Sequence, residues 1–216
     1  MATRSTVNGV AEPKQRRSRD SFAKVRSAVL QLLQERGNGQ FSIAEVRAAA
    51  GLSIGSIYGR VASKADLLRV VQSEEFDRLD TETEGRVSNA GVGAQTFEHA
   101  TTAIVTAYAE ILRENRELLS PFFLLGVEDR AIRDRGRQSG DAGQAVFVRA
   151  LTTAAAEHRI ELPAERAEWA FEVFYSLSVR YLGLGVAATV SPESDYDWND
   201  LLQRLAGTVH LILTSA

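Results

Sequence analysis

Residues 41–68 read FSIAEVRAAAGLSIGSIYGRVASKADLL, and this stretch contains three helix starts that can be predicted from local chemistry. The first is at Ser42, whose hydroxyl can accept a hydrogen bond from the Glu45 amide while the Glu45 carboxylate bonds back. Phe41 and Val46 flank this capping box at the spacing of a hydrophobic staple. We therefore predict that a helix begins directly after Ser42.

The turn that follows this helix should be short. The helix should end at Gly51, because glycine adopts the left-handed conformation of a helix terminus without a Cβ penalty. Ser53 offers a second cap two residues later, and Ser63 with Asp66 forms a third capping box. A turn this short forces two helices to cross steeply, as in helix-turn-helix units. We predict such a unit, followed by a connecting helix that runs to about Thr83.

From Ser21 to about Glu75, about a quarter of the chain, the sequence resembles the DNA-binding domain of the TetR family of transcriptional regulators. The shared pattern runs from the first cap to the connecting helix. Its matched positions are Ser42, Ile43, Val46, Ala50, Gly51, Leu52, Ser53, Gly55, Ser56, Ile57, Tyr58, Ser63, Lys64 and Leu67. Two positions depart from it. Arg47 replaces a small residue and must point outward or snorkel, and Val61 replaces an aromatic residue but can still fill the core.

Small residues suit a recognition helix, because its backbone must approach base edges in a major groove about 12 Å wide. The candidate DNA-binding residues are small, hydroxyl-bearing, aromatic or cationic: Ser42, Ser53, Ile54, Gly55, Ser56, Tyr58, Arg60 and Lys64. Arg16, Arg17 and Arg19 extend this set in an arm over residues 1–20 that we predict to be disordered. The arm could enter a minor groove or only aid solubility. Each side chain alone would also suit a solvated surface, but the spacing favours DNA contact.

The formal net charge of −3 hides an asymmetry along the chain. Residues 1–68 hold 11 Lys/Arg and 5 Asp/Glu, a balance of +6. Residues 69–216 hold 14 Lys/Arg and 23 Asp/Glu, a balance of −9. A polyanion would be attracted to the first part and repelled by the second, which agrees with a DNA-binding domain at residues 21–68.

Length and composition bound the remaining possibilities. The 216 residues allow one small domain and one larger domain, which we place at residues 69–216. The sequence has no apolar signal segment and no stretch apolar enough to span a membrane, so we expect a cytoplasmic protein without a membrane partner. With no cysteine and only three histidines, which lack metal-like spacing, we expect neither a metal site nor a cofactor.

Helical periodicity extends through the larger domain, which makes the predicted fold class all-α. The predicted helices lie at about 93–116, 118–127, 130–159, 163–188 and 196–214. The family resemblance implies that two copies pair through the last two of these helices. A homodimer would then bind double-stranded DNA at a palindromic operator.

The resemblance also implies a cavity for a small-molecule effector in the larger domain. Aromatic residues are the candidate lining, with His99 or Tyr108 as a polar anchor for a mostly apolar ligand. The candidate ligand-binding residues are Phe97, His99, Tyr108, Phe122, Phe123, Phe147, Trp169 and Phe174. A plain packed core would use the same residues and stays open as an alternative.

Two runs match enzyme motifs without the required context. Residues 51–55 fit G-x-S-x-G, but that nucleophile elbow needs a strand before the serine, where we predict a capped helix. Residues 183–188 fit G-x-G-x-x-A, but that fingerprint must follow a strand. This run falls late in a helical segment, where its glycines would instead allow close helix packing. We therefore do not expect an enzyme.

The sequence favours a ligand-responsive transcriptional regulator, with repression as the default sign. Two alternatives remain at this point. One is an all-α small-molecule-binding protein or enzyme with a non-functional DNA-binding head. The other is a DNA-binding protein without an effector, which would have a solid core in place of a cavity.

Overall fold

A computed structural model of the chain describes residues 11–52, 61–184 and 197–215, with side chains from residue 20 onward. Within these ranges the chain forms eight α-helices and no strand, which confirms the predicted all-α class. None of these helices is long and apolar enough to cross a membrane. The helices are α1 (Ala11–Arg36), α2 (Ile43–Ala50), α3 (Lys64–Ala90), α4 (Phe97–Glu114), α5 (Arg116–Glu128), α6 (Arg130–Glu157), α7 (Ala164–Tyr181) and α8 (Trp198–Thr214).

The chain divides into two compact units, Met1–Val71 and Gln72–Ala216, and the division falls inside α3. In the smaller unit, α1 packs against α2. In the larger unit, α4 packs against α5, α6, α7 and α8. The larger unit is therefore a bundle arranged around α4.

Helix α1 begins ten residues before the start predicted at Ser21, so the prediction of disorder over residues 1–20 is wrong for residues 11–20. Glu12 and Pro13 lie in its first turn, where an acidic side chain and a proline are favourable. Glutamine, lysine and arginine, which follow, are good helix formers. The helix ends where predicted, at Gly37, which has a φ of 65°.

Helix α3 continues to Ala90, past the end predicted at about Thr83. Small and polar residues after Thr83 suggested a break, but tertiary contacts hold this segment in the helix. Val87 is fully buried, and Arg86 donates to Glu82 at 2.9 Å and to Glu114 at 2.6 Å. Packing therefore outweighs the weak local preference for helix here.

Helix α7 ends at Tyr181, before the predicted end at residue 188. Gly183 has a φ of 61°, and the Leu184 amide donates to the Val179 carbonyl at 3.0 Å. Gly183 therefore terminates the helix, and the prediction that the glycines of this run permit close helix packing stays a prediction. Residues 185–188 lie outside the described residues. The other predicted ends in the larger unit lie within four residues of those observed.

The core of the larger unit is an interlocked group of aromatic rings from α4, α6 and α7. Tyr108 meets Phe147, Phe171 and Phe174 edge to face, with centroid distances of 6.0, 5.5 and 5.6 Å. Phe147 and Phe174 stack on each other at 5.2 Å. These edge and stacked arrangements are the favourable ones for aromatic pairs, and they fix the three helices around Tyr108.

Candidate nucleic-acid interface and ligand cavity

The predicted capping box at Ser42 is present. Ser42 Oγ accepts a hydrogen bond from the Glu45 amide at 3.3 Å, and the Glu45 carboxylate accepts one from the Ser42 amide at 2.7 Å. Phe41 and Val46 are both buried, as the staple requires. Gly51 closes α2 with a φ of 64°. The first helix and the start of the turn therefore form as local chemistry dictates.

Arg36 fastens the end of α1 to this box. Its guanidinium donates to the Gln40 carbonyl at 2.6 Å and pairs with the Glu45 carboxylate. The hydrogen bonds from Ser42, and then those from Arg36, lower the pKa of Glu45 from 4.5 to about 2. The carboxylate consequently stays ionised at any physiological pH, and the box keeps its acceptor.

The predicted cap at Ser63 is also present, at the start of α3, but its bond to Asp66 comes from the Ser63 hydroxyl rather than from the Ser63 amide. Ser63 Oγ donates to the Asp66 carboxylate at 2.6 Å and accepts from the Asp66 amide at 3.1 Å. The neighbouring Lys64 donates to the Gly39 carbonyl, and its ammonium lies 4.9 Å from the centroid of the Phe41 ring. Lys64 therefore joins the start of α3 to the segment before α2, and its contact with a phosphate stays a prediction.

Most of the other predicted DNA-binding residues lie outside the part of the chain that the structure describes. Those outside the described residues are Ser53, Ile54, Gly55, Ser56, Tyr58 and Arg60. Helix α1 includes Arg16, Arg17 and Arg19, but the structure describes only their backbone. Ser42 and Arg47 are exposed, and Val61 is buried. The unit Met1–Val71 as a whole holds 12 Lys/Arg against 5 Asp/Glu, so its field attracts a polyanion.

The larger unit contains a cavity of about 470 Å³. Residues of α3, α4, α5, α6 and α7 line it. This volume is within the range of small-molecule sites, about 300–1,000 Å³. Most of its wall is apolar, with contributions from Phe76, Leu79, Ile111, Leu119 and Phe122.

Three of the eight predicted ligand-binding residues line this cavity, namely Tyr108, Phe122 and Phe123. The other five do not: Phe97, Phe147 and Phe174 are buried elsewhere, and His99 and Trp169 are exposed. The physical reason is that Phe147 and Phe174 stack on each other, while Phe97 packs against His210 at 5.7 Å. These three rings therefore belong to the packed core and do not line the cavity.

Three glycines on one face of α6 were missed as lining residues. Gly136, Gly140 and Gly143 are spaced by four and three positions, and all three line the cavity. A Cβ at Gly143 would lie 2.1 Å from Tyr108 Oη, whereas one at Gly140 would meet no atom within 4 Å. Glycine inside a helix costs about 1 kcal/mol relative to alanine, so this spacing was a signal that space is needed.

Polar residues on the inner face of α3 were missed as well. Gln72 and Thr83 share that face with Phe76 and Leu79, at helical spacing, and are buried. The Gln72 side-chain amide donates to the Ile132 carbonyl at 3.0 Å. Polar residues at core positions of a helix are a recognisable signal of a polar site.

Asp80 adds a carboxylate to the same wall, and its charge is compensated. Arg135 donates to it at 2.9 Å, and Ser139 donates to its other oxygen. Arg135 also pairs with Asp77 at 2.9 Å, so it joins α6 to α3 through two acidic residues. The cavity wall therefore holds a paired carboxylate rather than a free one.

Two tyrosine hydroxyls belong to the cavity wall. Burial, with smaller effects of Tyr175 and Asp80, raises the pKa of Tyr108 far above its ordinary value. Burial and the nearby Glu172 raise the pKa of Tyr175 to about 12. Both hydroxyls therefore stay protonated and can donate a hydrogen bond.

The family model for bacterial regulatory proteins of the tetR family matches residues 26–71. Among curated proteins, no sequence matches this chain. Solved structures share the fold along nearly the whole chain at low sequence identity.

A TetR transcription regulator from Haloarcula marismortui has a TM-score of 0.65 and 14% identity, covering 90% of this chain and 97% of that one. A bacterial regulatory protein in the tetR family from Rhodococcus RHA1 has a TM-score of 0.63 and 19% identity, covering 91% and 98%. The transcriptional regulator FadR from Bacillus subtilis, in complex with stearoyl-CoA, has a TM-score of 0.62 and 15% identity, covering 90% and 99%. Residues 26–71, which include the capped helix-turn-helix segment, therefore match the tetR family of bacterial regulatory proteins, and the chain shares its fold with structures of tetR-family regulators.

Proposed function

We propose that this protein is a repressor that binds a palindromic operator as a homodimer and is released by a small, mostly apolar molecule. The observation that carries the proposal is the cavity of about 470 Å³ in the larger unit of a chain whose other unit matches a DNA-binding family. A DNA-binding protein without an effector would have no need of an open cavity whose glycines each disfavour the helix.

The amino-terminal unit supplies the DNA contacts in this proposal. Its predicted recognition residues carry small or hydroxyl side chains for the major groove, and Tyr58 and Arg60 carry tips suited to phosphates. The surplus of Lys/Arg over Asp/Glu in Met1–Val71 supports binding through the phosphate backbone.

Exposed apolar residues on α7 and α8 support a homodimer. Trp169 and Leu177 on α7 are 61% and 43% exposed, and Leu211 on α8 is 65% exposed. Helices α7 and α8 pack against each other in the larger unit. Large apolar side chains grouped on a surface mark an interaction site, and a two-fold axis would let one copy cover the same face of another.

The effector would act through its unequal affinity for two arrangements of the dimer. A coupling of about 1–3 kcal/mol is ordinary for such a switch. The two recognition helices must meet successive major grooves about 34–36 Å apart, so a small change in their separation would weaken both half-sites. Helix α3 lines the cavity with Gln72 and Phe76 and begins at the cap beside Lys64, which makes it the natural route for the coupling.

The DNA-binding part can be tested by fluorescence anisotropy with DNA that flanks the protein's own gene, a scrambled duplex and a salt series. The proposal predicts binding about 10³-fold tighter than to scrambled DNA, and weaker binding by the Tyr58→Ala/Lys64→Ala variant. Arg130→Ala is the matched control, because Arg130 is an exposed cation in the larger unit, and its loss should leave the affinity unchanged. Absence of DNA binding at low salt would contradict the proposal.

Sedimentation equilibrium tests the homodimer separately. Trp169→Glu with Leu177→Glu should shift the protein toward monomer, because two charges would be buried in the interface. Val92→Glu is the control, since Val92 is 69% exposed and lies between α3 and α4. A wild-type protein that stays monomeric at high micromolar concentration would contradict the homodimer.

A further inference from the structure

One hydroxyl on the cavity wall of the larger unit bonds to none of the described residues. The residues with buried polar side chains are Gln72, Glu75, Thr83, Thr101 and Ser178. Four of them form a hydrogen bond or ion pair, as when Thr101 donates to the Phe97 carbonyl at 2.8 Å. Thr83 is 6% exposed and lines the cavity, yet it bonds to none of the described residues. A hydroxyl on a cavity wall that bonds to no protein group can form a hydrogen bond with a ligand.

Tyr108 presents a second hydroxyl of this kind. Its side chain is 5% exposed and lines the cavity, and within the described part of the chain nothing accepts a hydrogen bond from it. Its Oη lies so close to α6 that a Cβ at Gly143 would be 2.1 Å away. Because Gly143 has no side chain, it leaves room for the Tyr108 hydroxyl but cannot form a side-chain hydrogen bond with it.

The two hydroxyls both lie opposite the same stretch of α6. Asp80, one turn before Thr83 on α3, accepts from Ser139 of α6. Glu84, the residue after Thr83, accepts from Arg149 of α6 at 2.6 Å. Thr83 therefore lies at a level between residues 139 and 149 of α6, and Tyr108 meets α6 at Gly143, within this interval.

The charges of the cavity wall do not favour an anion. The charged lining residues are Asp80, Arg133, Arg137, Asp141 and Glu172. Asp80 is already paired with Arg135. Arg133 and Arg137 are then balanced in number by Asp141 and Glu172. The wall therefore has no positive surplus to compensate for the desolvation of an anionic ligand. The remaining wall is mostly apolar.

From these observations we infer that the effector is an uncharged, mostly apolar molecule with one carbonyl-type oxygen, which accepts hydrogen bonds from Tyr108 and Thr83 beside Gly143. The inference rests on the proposed function, because it names the ligand class of the same cavity. The apolar body of the ligand would contact Phe76 and Phe122 and occupy the space in front of Gly140.

Three probes of one shape test the ligand class by isothermal titration calorimetry on the full-length protein. These are the ketone 9-fluorenone, the hydrocarbon fluorene and the anion fluorene-9-carboxylate. The ketone should bind about 10-fold more tightly than the hydrocarbon, the effect of one neutral hydrogen bond, and the carboxylate should bind most weakly. Equal affinities for ketone and hydrocarbon, tighter binding of the carboxylate, or no binding of any probe up to about 1 mM would overturn the inference.

Substitutions assign the hydrogen bonds to their donors. Tyr108→Phe and Thr83→Val should each weaken the binding of fluorenone by up to about 10-fold and leave the binding of fluorene unchanged. Thr101→Val is the control, because Thr101 is also buried but bonds to the Phe97 carbonyl. If the ketone and the hydrocarbon lose affinity together, these residues only shape the cavity, and the inference is overturned.

A blocking variant locates the probe. Gly140→Leu should abolish the binding of fluorenone, because a side chain there has room in the cavity. Gly85→Leu places the same side chain on α3, where a Cβ also meets no atom within 4 Å, at a residue that is not part of the lining of this cavity, and it should leave binding intact. Binding that survives in Gly140→Leu would overturn the inference. Operator binding is measured on the same preparations, so loss of the proposed function itself would show as absent DNA binding by the wild type.

Discussion

The two units are stabilised by contacts of different range along the chain. In the smaller unit, each capping box joins residues three positions apart, and Arg36 pairs with Glu45 nine positions away. In the larger unit, the ion pairs of Asp80 and Glu84 join residues 55 and 65 positions apart, and the aromatic core unites three helices. Substitutions in the smaller unit should therefore act locally, whereas those in the larger unit should act on several helices at once.

The largest effect should come from removing one ring of the aromatic core. Phe174→Ala should lower the free energy of unfolding by about 3–5 kcal/mol, because Phe174 is fully buried against Tyr108 and Phe147. Urea denaturation measures the loss. Val92→Ala, at a site 69% exposed, should change stability by less than about 0.5 kcal/mol. Equal effects of the two substitutions would contradict the importance of long-range packing.

Two identical substitutions on α6 should have opposite signs. Gly143→Ala should destabilise the protein by about 1–3 kcal/mol, because the new Cβ would lie 2.1 Å from Tyr108 Oη. Gly140→Ala should stabilise it by up to about 1 kcal/mol, since its Cβ meets no atom within 4 Å and alanine favours the helix. Thermal unfolding of both variants measures these changes in stability. Effects of the same sign would contradict the difference in space around Gly140 and Gly143.

A local effect is expected in the smaller unit. Ser42→Ala should cost about 1 kcal/mol, because the Glu45 amide loses its capping acceptor. Amide hydrogen exchange should show the loss in α2 and leave α4 and α6 unchanged. Ser42→Asp keeps an acceptor at the cap and should restore most of the protection. Faster exchange throughout the larger unit would contradict the local character of this contact.

The smallest effect concerns the charge of Glu45 and depends on pH. Its pKa is lowered from 4.5 to about 2 by the bonds from Ser42 and then Arg36. A lowered folded-state pKa gives stability that is present above pH 4.5 and is lost as the pH falls toward 2. Glu45→Gln should therefore destabilise the protein slightly at pH 7 and make no difference near pH 2. Unfolding followed at several pH values tests this, and a difference that grows on acidification would have the wrong sign.

The sequence predicts three described helix ends of the smaller unit well because each end depends on neighbouring residues. Ser42 with Glu45, Gly51, and Ser63 with Asp66 each define a helix end within a few positions, and all three ends are confirmed. The end of α3 was placed too early because Val87 and Arg86 are held by contacts with distant segments. Such contacts leave no local signal.

The cavity wall was harder to predict for the same reason. Phe122 lines the cavity and Phe147 fills the core, yet both are buried phenylalanines in helices. Their difference depends on which helix lies opposite. The glycine spacing on α6 and the polar residues on the inner face of α3 did carry a signal, because each is unfavourable unless space or a partner is provided.

The most direct measurement of regulator function is selection of fragmented genomic DNA by the purified protein, followed by sequencing of the bound fragments. A homodimeric regulator should enrich a small number of fragments that share one palindromic sequence, by about 10³-fold or more over the average. The Tyr58→Ala/Lys64→Ala variant should lose this enrichment, and the Arg130→Ala control should keep it. Uniform recovery of all fragments by the wild type, or no recovery at low salt, would contradict a sequence-specific regulator.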